Sequence, residues 1–119
     1  PADPVLQAIA DKWWPEQAKC VGVEERALGL NYPVRVVEDV FECGGVAAAG
    51  CFHYTSISVV RRYFEPALSH EFIHLALWKA GQNIGHGNPA FAKCDVLNVP
   101  SSVLHSLVYG GCDARQAAQ

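Results

Sequence analysis

The stretch Ser-His-Glu-Phe-Ile-His occupies residues 69–74 and brings two imidazoles and one carboxylate close together. His70 and His74 are four positions apart, so on an α-helix they project from the same face, one turn above the other. Two ring nitrogens can then bind one metal ion, and Glu71 lies where it can take a proton from a water instead of binding the ion. The stretch therefore predicts a hydrolytic zinc site on a helix. The alternative is a helix whose histidines only pack or cap.

The residues on either side carry the signals of a single helix. Pro66 suits a first helical turn, no Pro or Gly follows it before Gly81, and Gly81 suits the left-handed residue that ends a helix. Apolar residues keep a helical spacing beside the histidines at Ile73, Ala76, Leu77 and Ala80. We therefore expect a buried helix over residues 66–80 with one face turned to a cleft.

A third metal ligand is expected downstream, because a catalytic zinc usually has three protein ligands and an open fourth position. His86 is the first candidate. It lies in the segment Gly-His-Gly-Asn at residues 85–88, where the glycines allow a sharp turn that brings an imidazole back over the helix.

Residues from about 50 to 107 resemble the SprT-like family of zinc metallopeptidases, a gluzincin-type group. The resemblance is carried by HEFIHLALWK at residues 70–79, His86 and Gly87 with Phe91, VLNVP at residues 96–100, and His105. One departure is that three residues, instead of the family's two, separate Gly87 from Phe91.

The resemblance implies that His70, His74 and His86 bind one Zn²⁺ ion and that Glu71 is the general base. It implies an α+β fold, a minimal zincin domain in which a small mixed or antiparallel sheet packs on the HExxH helix and on further helices. The activity it implies is that of a zinc-dependent endopeptidase acting on a polypeptide substrate.

Four further polar residues are candidates for roles around the metal. His105, Tyr109 and Tyr54 are alternative donors to the oxyanion of a tetrahedral intermediate, and the sequence does not choose between them. Asp95 is a candidate for orienting a metal-binding imidazole by accepting a hydrogen bond from the ring nitrogen that does not bind the metal. The alternative is that Asp95 only occupies an exposed position on a helix. His53 is expected to lie apart from the metal.

Composition and charge limit the protein class. With 119 residues, 50% of them apolar and 18% charged, the chain suits one globular domain over residues 1–119, with a frayed tail at 113–119. Its apolar runs are too short to span a membrane. The formal charge is −3 and Arg61-Arg62 is its one basic pair, so no nucleic-acid partner is expected. A DNA-associated protease is therefore the weaker alternative, and a non-catalytic, zinc-stabilised binding module is the other. The sequence indicates no oligomeric state.

Five cysteines in so short a chain, without a C-x-x-C pair, favour disulfides. Cys43 and Cys51 flank a stretch short enough to be a bridged hairpin, and Cys94 is expected to pair with Cys112, which leaves Cys20 free or paired between chains. Disulfides predict a periplasmic or secreted protein. The alternative is a cytoplasmic protein with reduced, mostly buried cysteines.

The rest of the chain predicts further helices and strands. A first helix begins at Asp3-Pro4 and ends near residues 14–15, and residues 16–32 fit no clear pattern. Strands are expected over residues 33–41, 46–54 and 55–60. Later helices are expected over residues 88–97, with Phe91 packed on the metal-binding helix, and from residue 101 or 102 to 111.

Overall fold

The computed structural model describes residues 3–24 and 32–97, and within these ranges the fold is α+β. The helices are α1 (Pro4–Val21), α2 (Phe64–Lys79) and α3 (Ala90–Cys94), and a 3₁₀ turn at Arg61–Tyr63 precedes α2. The strands are β1 (Val34–Val37), β2 (Phe41–Cys43), β3 (Val46–Ala48), β4 (Gly50–Phe52) and β5 (Ile57–Val60). The expected α+β class with a small mixed sheet is confirmed.

Helix α2 is the central element of the fold. Every residue from 67 to 77 is buried, because α2 packs against α1 and also against β4 and β5. A helix that is buried all round is expected to be apolar on every face, and the buried polar residues of α2 are Ser69, His70, Glu71 and His74. The helix ends as expected: Gly81 has φ +70°, and Gln82 N donates to Leu77 O at 2.9 Å.

Helix α1 begins as predicted, since Asp3 Oδ1 accepts from Val5 N at 3.0 Å and Leu6 N at 3.3 Å. The predicted end near Pro15 is wrong, because α1 continues through Pro15 to Val21. A proline inside a helix costs about 3 kcal/mol. Burial of Trp14 in the core, followed by further buried residues in the next turn, offsets that cost.

The strands form two sheets. In the three-stranded sheet, β5 lies in the middle, parallel to β1 and antiparallel to β4. Strands β2 and β3 form a separate antiparallel hairpin. Two of the predicted strands, 33–41 and 46–54, are therefore each divided. Residues 38–39 bend, and Asp39 Oδ1 accepts from Val40 N at 2.8 Å, which separates β1 from β2.

The largest core cluster lies between α1, α2 and the three-stranded sheet. Trp14 of α1 meets Phe72 of α2 edge to face, with ring centroids 5.4 Å apart. Aromatic pairs of this kind contribute about 0.5–1.5 kcal/mol beyond the burial of their area. The other large members that are fully buried include Phe52, Ile57, Leu68 and Leu75.

Two disulfides connect these elements. Cys43–Cys51 joins β2 to β4, so this predicted pair is confirmed, although it connects the hairpin to the larger sheet and does not bridge the hairpin's own ends. Cys20 pairs with Cys94, so the predicted Cys94–Cys112 bridge and the free Cys20 are wrong. The longer α1 explains the difference, because its last turn carries Cys20 to within 5.9 Å of Cys94, measured between Cα atoms.

Helix α3 is shorter than predicted. Asn88 Oδ1 accepts from Ala90 N at 2.9 Å, as an N-terminal cap would, but the helix ends at Cys94 and Asp95 leaves the helical conformation at ψ 82°. The predicted last helix and the frayed tail lie outside the described residues. No helix in the described part of the chain is both long and apolar enough to cross a membrane.

Candidate metal centre

Three imidazoles converge on one point. His70 and His74 are fully buried on α2, and the half-buried His86 follows in the segment after that helix. The Nε2 atom of His86 lies 3.0 Å from Nε2 of His70 and 3.1 Å from Nε2 of His74. These residues offer three ligand atoms within 4.8 Å of one another. The group could therefore hold a metal ion, as the sequence predicted.

Asparagine hydrogen bonds shape the segment that carries His86. Asn83 Oδ1 accepts from Gly85 N, and Asn88 Nδ2 donates to Asn83 O, both at 2.8 Å. The expected sharp turn is present at residues 85–88, where Asn88 N donates to Gly85 O at 3.0 Å, although neither Gly85 nor Gly87 has a positive φ. The left-handed residue closest to this segment is Gly81, two positions after the end of α2. The turn brings His86 to the two helix histidines, as expected.

Hydrogen bonds at the Nδ1 atoms fix the tautomers of the two helix histidines. His74 Nδ1 lies 2.7 Å from Ile84 O, and His70 Nδ1 lies 3.0 Å from Asp95 Oδ2. A carbonyl or carboxylate oxygen only accepts, so each Nδ1 carries the hydrogen and each neutral ring presents a lone pair at Nε2. Both lone pairs face His86 Nε2, whose single possible N–H can serve only one of them. A cation satisfies all three nitrogens at once.

The protonation states also favour a cation. Burial and the neighbouring His70 and His86 lower the pKa of His74 well below its ordinary value, although its bond to Ile84 O opposes this. Burial, followed by His70, lowers the pKa of His86 to about 4, with Asp95 acting in the opposite direction. Both rings are therefore neutral at pH 7, which is the form that binds metals.

Two of the three nitrogen–nitrogen distances can be compared with those around a tetrahedral ion. Zn–N bonds of about 2.0–2.1 Å at tetrahedral angles separate ligand nitrogens by about 3.3 Å, close to the observed 3.0 and 3.1 Å. Among the described residues, no fourth ligand completes the group. Asp95 contacts the far nitrogen of His70, and the cysteines of residues 3–24 and 32–97 are all in disulfides. Within the described residues, the group therefore offers three protein ligands to an ion.

Glu71, which follows His70 in the sequence, is fully buried, and its carboxylate lies against Gly50 of strand β4. A Cβ atom at Gly50 would come within 2.9 Å of Glu71 Oε2 and 3.2 Å of Glu71 Cγ. Only glycine at position 50 therefore leaves room for the carboxylate in its present position.

Tyr32 is a neighbour of Glu71 that sequence reasoning missed. Burial and the charge of Glu71 raise the pKa of the Tyr32 hydroxyl, which donates to Tyr54 O at 3.2 Å. Tyr32 lies in the region from 16 to 32, where no periodic pattern was visible. Its contact with the β4–β5 turn is set by tertiary structure, so no local signal indicated it.

The other candidate residues fall in different places. Asp95 Oδ2 lies 3.0 Å from His70 Nδ1, which agrees with the first of the two positions considered for it. Tyr54 lies in the β4–β5 turn at φ +69°, and its ring packs 5.6 Å from that of Trp78 and 4.9 Å from that of Phe52. Phe52 in turn stacks on His74, so the Tyr54 ring contacts a ring that packs on the three-histidine group. His105 and Tyr109 lie outside the described residues.

Phe91 covers one side of the three imidazoles. Its ring centroid lies 4.7 Å from that of His74, 4.9 Å from His86 and 5.3 Å from His70. The predicted packing of Phe91 on the metal-binding helix is confirmed. Its apolar ring excludes water from that side and so strengthens electrostatic interactions within the group. His53 instead contacts Ser58 Oγ at 3.3 Å and is not a member of the three-histidine group.

Comparisons with models of protein families, with curated proteins and with solved structures gave no match for this chain.

Proposed function

We propose that this protein is a zinc-dependent endopeptidase with a zincin-type fold, similar to the SprT-like metallopeptidases. The observation that supports this best is the convergence of the Nε2 atoms of His70, His74 and His86, with the buried Glu71 next in sequence to the first of them. Three converging ring nitrogens, no fourth ligand among the described residues, and a carboxylate that follows His70 in sequence together suit metal-assisted hydrolysis of a peptide bond.

The chain's own residues have separate roles in the proposed reaction. His70, His74 and His86 would hold a divalent ion, which would lower the pKa of a water from about 15.7 toward about 7 and polarise the scissile carbonyl. Glu71 accepts a proton from the attacking water and later donates it to the leaving amine nitrogen. Asp95 holds the hydrogen on Nδ1 of His70, and Ile84 O does the same for His74, so that both present Nε2 lone pairs. Tyr54, His105 and Tyr109 remain the candidates for donating to the oxyanion.

The proposed location is the periplasm or the extracellular space. The two disulfides favour an oxidising compartment, because thiols in the cytoplasm are kept reduced. A cytoplasmic location is the alternative, and it would require these cysteines to be reduced in the cell.

The two alternative functions have less support. A zinc-stabilised binding module would be expected to have a fourth protein ligand, and none lies among the described residues. A DNA-associated protease would need unpaired basic groups. Arg61 instead pairs with Asp3 and Glu38, and Arg62 with Asp39. With a net charge of −3, the chain has little electrostatic attraction for phosphate.

The replacement Glu71→Gln tests the proposed function. We expect the purified variant to retain its metal, measured by elemental analysis, and to lose hydrolysis of an unfolded protein substrate by about 10²–10⁴-fold, as for other general bases. His86→Ala should lose both metal and activity. Glu42→Gln, at an exposed carboxylate on β2, is the matched control and should behave as wild type. Full hydrolysis by Glu71→Gln, or a metal-loaded wild type that cleaves nothing, would contradict the proposal.

A further inference from the structure

Gln17 is a buried residue of α1 whose amide connects the two elements that carry His70 and Asp95. Its Nε2 donates to Ser69 O at 3.0 Å and to Cys94 O at 3.1 Å, and the residue is only 2% exposed. Ser69 directly precedes His70, and Cys94 directly precedes Asp95. Only the amide nitrogen can serve two carbonyl oxygens, so these partners fix the orientation of the amide.

The position of Asp95 depends on these links because α3 has little stability of its own. A helix of five residues does not persist without tertiary contacts. The Oδ2 atom of Asp95 lies 3.0 Å from His70 Nδ1, whereas its buried Oδ1 has no hydrogen-bond partner in the described part of the chain. The carboxylate is therefore held in line with His70 mainly by the backbone at the end of α3.

The Cys20–Cys94 disulfide is a second link between the same two helices. Gln17 and Cys20 are three positions apart on α1 and so share a helix face. Gln17 donates a hydrogen bond to Cys94 O, and Cys20 forms the disulfide with the sulfur of Cys94. Together they fix both the backbone and the side chain of the residue before Asp95.

We propose that Gln17, supported by the Cys20–Cys94 disulfide, is a positioning residue for the metal centre. It holds the end of α3 against α2, so that Asp95 keeps His70 in the orientation and tautomer that a ligand requires. Metal affinity then depends on a helix, α1, from which no residue belongs to the three-histidine group. This inference depends on the metal-binding part of the proposed function and not on peptide hydrolysis.

A double-mutant cycle tests this role. The Kd for Zn²⁺ and for Co²⁺, and the visible absorption spectrum of bound Co²⁺, would be measured for wild type, Gln17→Met, Asp95→Asn and the double variant. Loss of a group that orients a metal ligand typically weakens binding about 10–100-fold, and we expect about 10-fold for Gln17→Met. Because Gln17 acts through Asp95, the double variant should bind about as weakly as Asp95→Asn alone. Lys19→Met, at an exposed position on the same helix, should leave the Kd unchanged.

Several results would overturn the inference. An unchanged Kd for the metal ion in Gln17→Met would do so. So would a double variant whose fold-loss of metal affinity equals the product of the fold-losses in the two single variants. If Gln17→Met does not fold, the Cys20→Ser/Cys94→Ser variant takes its place in the same cycle, with the same criteria. A wild type that binds no metal would reject this inference and the proposed function together. A wild type that binds metal without hydrolysing peptides would reject the peptidase alone.

Discussion

At the scale of single residues, the histidines of the metal centre connect folding to pH. The pKa of His86 is about 4 in the folded protein, and that of His74 also lies well below its ordinary value. In the unfolded chain, His74 and His86 should both have a pKa of about 6.5. Between these values the unfolded state binds protons that the folded state excludes, so the metal-free protein loses stability as the pH falls from about 6.5 to about 4.

This pH dependence can be measured by thermal unfolding in the presence of a chelator. We expect the Tm of the metal-free protein to fall steadily as the pH is lowered from 7 to 4.5. His86→Ala, which removes one of the two groups, should show a shallower decline. A Tm that is constant over this range in the wild type would contradict the buried, neutral state of the two rings.

Gly50 gives a second prediction at the residue scale. In Gly50→Ala the new methyl group would lie 2.9 Å from Glu71 Oε2, so the carboxylate must move. Overpacking of this kind costs about 1–3 kcal/mol. We expect kcat to fall with little change in metal content, because the three histidines are not displaced. Ala47→Ser, an exposed small residue on β3, is the control for substitution near this strand. Unchanged kcat in Gly50→Ala would show that the carboxylate does not need its present position.

Contacts between residues that are close in the sequence could be predicted from local patterns for this site, whereas contacts between residues far apart in the sequence could not. His70, Glu71 and His74 lie within one helical turn, so their spacing alone indicated a shared site. Asp95 was a candidate because carboxylates often orient metal-bound imidazoles. Gln17 and Tyr32 were missed because their partners are 52 and 22 residues away in the chain, and no local pattern encodes such contacts.

At the scale of elements, the predicted boundaries failed where tertiary contacts outweighed local signals. Pro15 normally ends a helix, yet α1 continues because its second half packs against α2. Asp39 lies in an alternating pattern that favours one strand, yet its side chain bonds the next backbone N–H and the chain bends. The C-terminal end of α2 was predicted correctly, since Gly81 encodes it locally through its left-handed conformation.

Because α1 carries a proline in its interior, replacing that residue should stabilise the protein. Pro15→Ala restores a backbone N–H within α1 and removes the clash of the ring with the preceding turn, which should stabilise the folded state by about 3 kcal/mol. The unfolded chain becomes more flexible, which offsets this gain by about 1 kcal/mol. We expect a net gain of about 1–2 kcal/mol in the free energy of unfolding, measured by urea denaturation. Ala8→Gly, at an exposed position of the same helix, should instead lose about 1 kcal/mol. A destabilised Pro15→Ala would indicate that α1 is bent at this point to fit its neighbours.

At the scale of the whole molecule, a single buried helix connects the structural core to the three-histidine group. One part of α2 contacts α1 and the sheet, and the same helix carries His70, Glu71 and His74. The sequence predicted this helix well, but it did not predict how the other elements surround it. The arrangement depends on long-range links such as Gln17 with Ser69 and Cys20 with Cys94, which periodicity cannot reveal.

The two disulfides should contribute unequally to stability, because they close loops of very different length. Cys20–Cys94 spans 74 residues and Cys43–Cys51 spans 8. On the chain-entropy model, loops of these lengths correspond to about 4.5 and about 2.5 kcal/mol. We therefore expect the Cys20→Ser/Cys94→Ser variant to lose about 2 kcal/mol more in its free energy of unfolding than Cys43→Ser/Cys51→Ser, as measured by urea denaturation of the metal-free proteins. An equal loss in both variants would mean that strain or residual structure in the unfolded chain, rather than loop length, sets the contribution. Loop entropy acts on the unfolded state alone, so it cannot change the metal affinity of the folded protein. A lower metal affinity of Cys20→Ser/Cys94→Ser, measured at a temperature where this variant is folded, would therefore show a separate effect of the disulfide on the three-histidine group.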